Sequence, residues 1–99
     1  MPVPVWSVYL VECRDGSVYT GIAIDVDRRY AAHIAGKGAR YTRSHPPLRL
    51  LARFECGDRA TASRAEYAVK QLTAAQKREL CEVGRVRFDA LMAQSRPLL

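Results

Sequence analysis

The chain has 99 residues, of which 48% are hydrophobic and 26% charged. This length suits a single domain, and the composition is that of a globular protein rather than of a disordered tail. Lys and Arg outnumber Asp and Glu by 16 to 10, for a formal net charge of +6. Such an excess favours a polyanionic partner such as nucleic acid or an anionic membrane surface.

Targeting and metal signals are weak. No apolar run approaches the roughly 18 residues needed to cross a bilayer, and Met1-Pro2-Val3-Pro4 lacks the features of a signal peptide, so we predict a cytoplasmic protein with no membrane partner. The cysteines Cys13, Cys56 and Cys81 include no close pair, which predicts packed thiols rather than a disulfide framework or a zinc site.

The first half of the chain begins with a predicted hairpin. The runs from Val5 to Glu12 and from Ser17 to Ile22 are rich in β-branched and aromatic residues, and an Asp-Gly turn signal lies between them. A three-residue loop ending at a left-handed Gly16 would place Tyr9 and Tyr19 on the same face of the sheet. A two-residue loop would put them on opposite faces and sort the apolar residues less well.

A helix is predicted from the N-cap Asp25 to about Ala35, with Gly36 as its stop signal. Helical spacing gives an apolar stripe of Val26, Tyr30 and Ile34. Arg29 and His33 fall along one edge of that stripe, one turn apart, whereas Arg28 points away.

The segment from Lys37 to Pro47 has no periodicity and is predicted to be a loop. Its positive charges are Lys37, Arg40 and Arg43, with His45 nearby. Because the loop begins where the Arg29 and His33 helix ends, we predict that these three cations contact a phosphate backbone.

A third strand and further helices are predicted from residue 48 onward. Leu48 to Cys56 alternates, with Leu48, Leu50, Ala52 and Phe54 on one face. A helix from about Thr61 turns Ala62, Ala65, Val69 and Leu72 inward, with Glu66 inside that stripe. Thr73 to Gln76 is a capping-box pattern that starts another helix. In the tail, Val86, Ala90 and Leu91 lie near helical spacing, and Ser95-Arg96-Pro97 ends the helix.

These predictions bring together several polar residues with ordinary explanations. Strand tyrosines usually serve packing, and Glu66 could pair with Lys70 at i,i+4. Phosphodiester hydrolysis, however, needs a base for water, a cation for the phosphorane charge and a carboxylate that holds a metal. Tyr9 or Tyr19, Arg29 and Glu66 match those needs.

Several motifs of the chain resemble the GIY-YIG nucleases. Val8-Tyr9-Leu10 and Tyr19-Thr20-Gly21 are similar to the paired motif that names the family, and the segment 25–33 is similar to its first helix. The segment 36–43 resembles the loop of its small stand-alone bacterial members (UPF0213-like), and the segment 62–72 resembles the metal-binding helix. The resemblance covers about residues 5–79.

The resemblance implies a set of roles. One of Tyr9 and Tyr19 helps to deprotonate the attacking water, Arg29 stabilises the pentacovalent phosphate, and His33 assists proton transfer or contacts phosphate. Glu66 binds one divalent ion, Mg²⁺ or Mn²⁺. The nucleic-acid contacts are then assigned to Lys37, Arg40, Tyr41 and Arg43. The chain departs from the family pattern at Ser7, where the first motif has its glycine, and in having no asparagine.

We therefore expect an α+β fold with a three-stranded antiparallel sheet flanked by helices, in the order β-β-α-β-α-α. One domain is expected over residues 1–99, with a core of about 5–79 and a helical tail of about 80–99. The implied function is a metal-dependent DNA endonuclease, either guided by DNA structure or weakly specific, and linked to repair or recombination. Alternatives are a catalytically silent nucleic-acid-binding module and a protein-interaction subunit whose tail docks a partner.

Overall fold

The computed structural model describes residues 3–94 and confirms the α+β class. The elements in chain order are β1 (Trp6–Cys13), β2 (Val18–Ala23), α1 (Val26–Ile34), α2 (Arg40–Ser44), β3 (Pro47–Gly57), α3 (Arg59–Lys70), α4 (Ala74–Val83) and α5 (Arg85–Gln94). The strands form one antiparallel sheet in the order β2-β1-β3. To the predicted order the structure adds the short α2, and the tail forms α5.

The β1–β2 hairpin has the predicted three-residue loop. Gly16 has a φ of +89°, and the amide of Cys13 donates to the carbonyl of Ser17 at 2.9 Å. Tyr9 consequently pairs with Gly21, and Val11 with Tyr19. Since alternate residues share a face, the two tyrosines lie on the same side of the sheet.

The sheet buries residues on both faces. One face packs against α3, α4 and α5 in a core that includes Val8, Leu10, Val18, Phe54, Val69, Leu80 and Phe88. The opposite face carries a smaller cluster of Tyr9, Val11, Ala23 and Val26, against which Tyr19, Tyr30 and Leu50 pack. The candidate site lies on this second face.

The predicted alternation along β3 is wrong in its first half. Val11 pairs with Leu50 and Leu10 with Ala52, so the register shifts there and leaves Leu51 as an extra residue. Such a β-bulge reverses the direction of the side chains that precede it. Leu50 therefore packs on the tyrosine face, and Leu48 is 56% exposed instead of buried.

Helix α1 has the predicted boundaries but a different buried stripe. The carboxylate of Asp25 accepts from the amide of Arg28 at 3.0 Å, and Gly36 follows the helix with a φ of +75°. Ile34, predicted in the stripe, is 60% exposed, whereas His33 is buried. The inward positions are thus Val26, Tyr30 and His33, which keep helical spacing and bring the imidazole to the sheet.

The second half of the chain follows the predicted caps. Thr73 and Gln76 form the reciprocal capping box of α4. In α5 the buried residue is Phe88, which stacks on Phe54 with ring centroids 4.6 Å apart, and the predicted Leu91 packs against the same core together with Met92. The spacing of Val86, Ala90 and Leu91 did not reveal this contact, and Val86 is exposed. The predicted end at Ser95-Arg96-Pro97 lies outside the described residues.

Among the described residues 3–94, no helix has the length and apolar character required to span a membrane.

Candidate active site

Two phenols converge over the central strand of the sheet. Tyr9 of β1 is 1% exposed, Tyr19 of β2 is partly exposed, and their ring centroids are 6.2 Å apart. Gly21 makes room for this arrangement, since a Cβ there would lie 2.7 Å from the Tyr9 hydroxyl. In the segment Tyr19-Thr20-Gly21, the tyrosine therefore packs near Tyr9, and the glycine leaves the space that the Tyr9 ring occupies.

His33 connects helix α1 to the phenols. Its ring is 1% exposed, with Nε2 2.7 Å from the Tyr9 hydroxyl. The same ring meets Tyr19 edge-on, at a centroid distance of 5.1 Å. On its other side, Nδ1 lies 2.6 Å from the hydroxyl of Thr42 in α2. The imidazole is thus a buried bridge between β1 and α2.

Arg29 lies one turn before His33 and is partly exposed, while Arg28 is exposed. Burial is the largest cause of the pKa shifts of Tyr9, Tyr19 and His33; the Arg29 guanidinium offsets part of the rise at the two phenols and adds to the fall at His33. A cation beside two phenols and an imidazole, open on one side to solvent, can meet an anionic group of a substrate.

Burial opposes ionisation of the cluster. Desolvation raises the pKa of Tyr9, its neighbour Tyr19 raises it further, and a hydrogen bond and the charge of Arg29 offset part of the rise. The pKa of Tyr19 is raised by burial, lowered in part by Arg29 and raised again by Glu66. Burial and then Arg29 lower the pKa of His33, so this imidazole is neutral near pH 7.

Glu66 of α3 lies at the edge of its predicted stripe. Its side chain is 25% exposed, whereas Ala62, Ala65 and Val69 are buried. The carboxylate forms an ion pair with Lys70 at 3.3 Å, and its negative charge helps to raise the pKa of Tyr19. The structure therefore groups Tyr9, Tyr19, Arg29 and His33 on the second face of the sheet. Glu66 lies on α3, which packs on the opposite face, and it influences this group through Tyr19.

The donor set around Glu66 fits a hydrated hard cation. Within residues 3–94 no cluster of three or more His, Cys, Asp or Glu side chains is arranged to hold a metal ion. Mg²⁺ commonly takes one or two carboxylates, with water and substrate phosphate completing its shell. Glu66, a half-buried carboxylate that acts electrostatically on Tyr19, matches that mode of binding.

The predicted nucleic-acid contacts lie beside this cluster. Tyr41 of α2 stacks on Tyr19 at a centroid distance of 5.9 Å and on His45 at 4.0 Å. Lys37, Arg40 and Arg43 are exposed on the same segment. The positively charged segment thus lies next to the phenol and imidazole rings, with Tyr41 in contact with Tyr19.

Sequence reasoning missed Thr42, the stacking of His45 and the helical character of residues 40–44. A five-residue helix is shorter than the window over which periodicity can be detected. The threonine is 2% exposed and hydrogen-bonded to His33, which only the tertiary structure reveals. The signal available in the sequence was Gly38, because a Cβ there would lie 2.2 Å from Nδ1 of His33.

Comparisons with known proteins identify the family. A family model described as the GIY-YIG catalytic domain matches residues 5–79. The chain is 47% identical over 89 residues to a UPF0213 protein of Desulfotalea psychrophila, which covers 89% of this chain and 81% of the relative. It is 45% identical over 92 residues to the UPF0213 protein YhbQ of Escherichia coli, which covers 93% of this chain and 92% of the relative.

Two solution NMR structures are also similar. A UPF0213 protein of Bacillus halodurans is 42% identical with a TM-score of 0.50, over 86% of this chain and 93% of that one. A protein of E. faecalis is 33% identical with a TM-score of 0.55, over 80% of this chain and 84% of that one. Because the family model and these relatives each span most of it, the chain belongs to the GIY-YIG family, among relatives that carry the name UPF0213.

Proposed function

We propose that the protein is a metal-dependent DNA endonuclease that hydrolyses phosphodiester bonds at the site of Tyr9, Tyr19, Arg29, His33 and Glu66. The observation that carries this proposal is the contact of two phenols with a buried imidazole, with Arg29 acting on all three rings. Packing alone does not require a partly buried cation beside a neutral histidine.

Each residue has a defined part in the proposed reaction. A phenol, either Tyr9 or Tyr19, gives up its own proton as it takes one from the attacking water, and His33, which is neutral near pH 7, receives or relays the phenol's proton. Arg29 donates to the phosphate oxygens as charge develops on them. Glu66 would hold Mg²⁺ or Mn²⁺, which supplies Lewis-acid stabilisation of the phosphate when bound.

DNA would approach over α2. Lys37, Arg40 and Arg43 would contact phosphates, and Tyr41 would lie against a sugar or base beside the reactive phosphate. The net charge of +6 favours such a polyanionic substrate. We assign the chemistry to about residues 5–79. The helical tail adds Phe88 to the hydrophobic core.

The proposed substrate is DNA of irregular structure, such as a branched or damaged duplex, in repair or recombination. The small domain has few surfaces from which to read base edges, which favours recognition of shape over sequence. The free cysteines Cys13, Cys56 and Cys81 fit a reducing cytoplasm.

A nicking assay tests the function directly. Linear, nicked and branched DNAs are incubated with the protein, with and without Mg²⁺, beside a Glu66→Gln control. We expect Mg²⁺-dependent nicks that the control lacks. DNA binding without nicking would instead establish the silent binding module, and the absence of both would favour the protein-interaction subunit.

A further inference from the structure

We propose that Thr42 is a positioning residue that fixes the tautomer of His33, keeping the proton on Nδ1 and leaving Nε2 free to accept from Tyr9. The catalytic meaning of this role rests on the proposed nuclease function. Its physical basis is a chain of hydrogen bonds that crosses α1, α2 and β1.

Both ring nitrogens of His33 have partners. Nε2 lies 2.7 Å from the Tyr9 hydroxyl, and Nδ1 lies 2.6 Å from Oγ1 of Thr42. A neutral imidazole carries one proton, so one nitrogen donates and the other accepts. The geometry around Thr42 decides which nitrogen donates.

The Thr42 hydroxyl has one proton to give. Its Oγ1 lies 3.0 Å from the carbonyl oxygen of Ala39, which can only accept. The amide of Arg43 donates to the same carbonyl at 3.2 Å, and its two lone pairs allow both bonds. Because the hydroxyl proton points to Ala39, Oγ1 is left to accept, and His33 must donate from Nδ1.

A competing contact exists but is weaker. The amide of Ala39 lies 3.4 Å from Nδ1 of His33, and it could donate only to an unprotonated Nδ1. That distance is beyond the usual range for N–H donors, whereas both contacts of Thr42 are 3.0 Å or shorter. Reversing the tautomer would also remove the bond from Thr42 to the Ala39 carbonyl. The Nδ1–H form is therefore favoured.

The consequence reaches Tyr9. With Nε2 unprotonated, the phenol donates its proton to His33 and keeps its oxygen lone pairs for other donors. If Tyr9 is the residue that deprotonates water, its own proton moves from the phenol oxygen to Nε2, and His33 then carries protons on both nitrogens. With the opposite tautomer, Nε2 would already carry a proton pointing at the phenol, so His33 could not accept the Tyr9 proton.

Burial keeps the arrangement in one state. Thr42 is 2% exposed and His33 1%, so water cannot readily replace either partner. Gly38 lies against the imidazole, where a side chain would collide with Nδ1. Thr42 itself contacts His33 and the Ala39 carbonyl rather than a position open to substrate, which makes it a positioning residue.

Imidazole ¹⁵N NMR of the full chain, without DNA or metal, measures the tautomer. We expect Nδ1 of His33 to be protonated and Nε2 unprotonated. The chain has 2 histidines, so a His45→Gln variant assigns the signals. His45 is also an internal reference, because its Nδ1 donates to the carbonyl of Tyr41 at 2.9 Å. A proton on Nε2 of His33 in the wild type would overturn the inference.

Variants at Thr42 test its part. Thr42→Val keeps the shape but lacks the hydroxyl, and we expect its His33 signals to move toward the other tautomer; Thr42→Ser should retain the wild-type pattern. An unchanged pattern in Thr42→Val would contradict the proposal. If Thr42→Val does not fold, the wild-type spectrum and Thr42→Ser still decide it, since loss of the pattern in Thr42→Ser would oppose the role.

Nuclease activity separates this inference from the proposed function. We expect Thr42→Val to lower the rate constant for nicking about 10- to 100-fold with DNA binding unchanged, by analogy with the loss of groups that orient metal-binding histidines. Equal rates in Thr42→Val and wild type would overturn the positioning role alone. The expected NMR pattern in a wild type that never nicks DNA would overturn the proposed function and support the tautomer assignment.

Discussion

The hydroxyl of Tyr9 lies 2.7 Å from Nε2 of His33, although the two residues are 24 positions apart. This bond joins the central strand to helix α1 and sets the distance at which Arg29, one turn earlier on the helix, meets the phenols. The geometry of the candidate site therefore depends on helix phase and on the space above β2.

The helix phase predicts unequal roles for two adjacent arginines. Arg29→Ala should lower the nicking rate about a hundredfold or more, corresponding to a decrease of about 3 kcal/mol in transition-state stabilisation. Arg28→Ala is the matched control and should have little effect, because Arg28 is exposed and points away from the phenols. Single-turnover nicking of a saturating DNA measures both, and equal decreases would contradict the assignment of Arg29.

The space above β2 depends on Gly21. Gly21→Ala should destabilise the fold by about 1 to 3 kcal/mol, because its Cβ would lie 2.7 Å from the Tyr9 hydroxyl. Urea unfolding measures the change in the free energy of unfolding. In a Tyr9→Leu background the cost should be smaller, because the Tyr9 hydroxyl and Cζ, which would lie 2.7 and 2.8 Å from that Cβ, are both gone. A double-mutant cycle with no coupling between the two positions would refute this account.

The positive segment before and within α2 predicts the salt dependence of DNA binding. Neutralising Lys37, Arg40 and Arg43 together should flatten the slope of log affinity against log salt by about two to three units, at roughly 0.9 for each phosphate that the protein no longer neutralises. Fluorescence anisotropy over a salt series gives the slope.

The matched control for that experiment removes the same number of charges from Arg59, Arg85 and Arg87, which lie on α3 and α5. It should leave the slope nearly unchanged. A slope unaffected by the first set of substitutions would remove the α2 segment from the interface.

The hairpin could be predicted from sequence because its register sorts side chains. Only a three-residue loop separates the apolar residues cleanly, so the shared face of Tyr9 and Tyr19 followed from local reasoning. Helix caps such as Asp25 and the Thr73 capping box are likewise local, since donor and acceptor are three residues apart.

Features that depend on distant contacts could not be predicted. The bulge at Leu51 is set by pairing with β1, and both registers have acceptable side-chain patterns in isolation. Thr42 looked like one polar residue in a charged loop, because its partner His33 lies outside the segment. The exposure of Ile34 follows from the same contact, since the helix turns its imidazole to the sheet.

The core face of β2 contains a buried hydroxyl that weakens the fold. Thr20 is 2% exposed, and its Oγ1 has no hydrogen-bond partner among the described residues. Thr20→Val keeps the shape and removes the unsatisfied group, so the free energy of unfolding should rise by about 1 kcal/mol. Thr42→Val, which removes a bonded hydroxyl, should lower it. Urea midpoints that shift in the same direction for the two variants would contradict this assignment.

The ion pair between Glu66 and Lys70 leads to the last prediction, which concerns metal binding. Glu66 is the only side chain that we propose to bind the ion directly, and its carboxylate is held by Lys70 at 3.3 Å. A partly exposed pair at i,i+4 contributes only about 0.3 to 0.5 kcal/mol, so a hydrated divalent ion at the reactive phosphate can displace the lysine.

Glu66→Gln should therefore retain the fold and DNA affinity but lose Mg²⁺-dependent nicking. Lys70→Met is the matched control at the other end of the pair: it frees the carboxylate, so half-maximal nicking should need less Mg²⁺ than in wild type. Thermal unfolding, anisotropy and a Mg²⁺ titration of nicking measure the three quantities. Metal-stimulated nicking that survives in Glu66→Gln would end the assignment, and the contact with Lys70 would then be a surface ion pair whose effect is confined to helix α3.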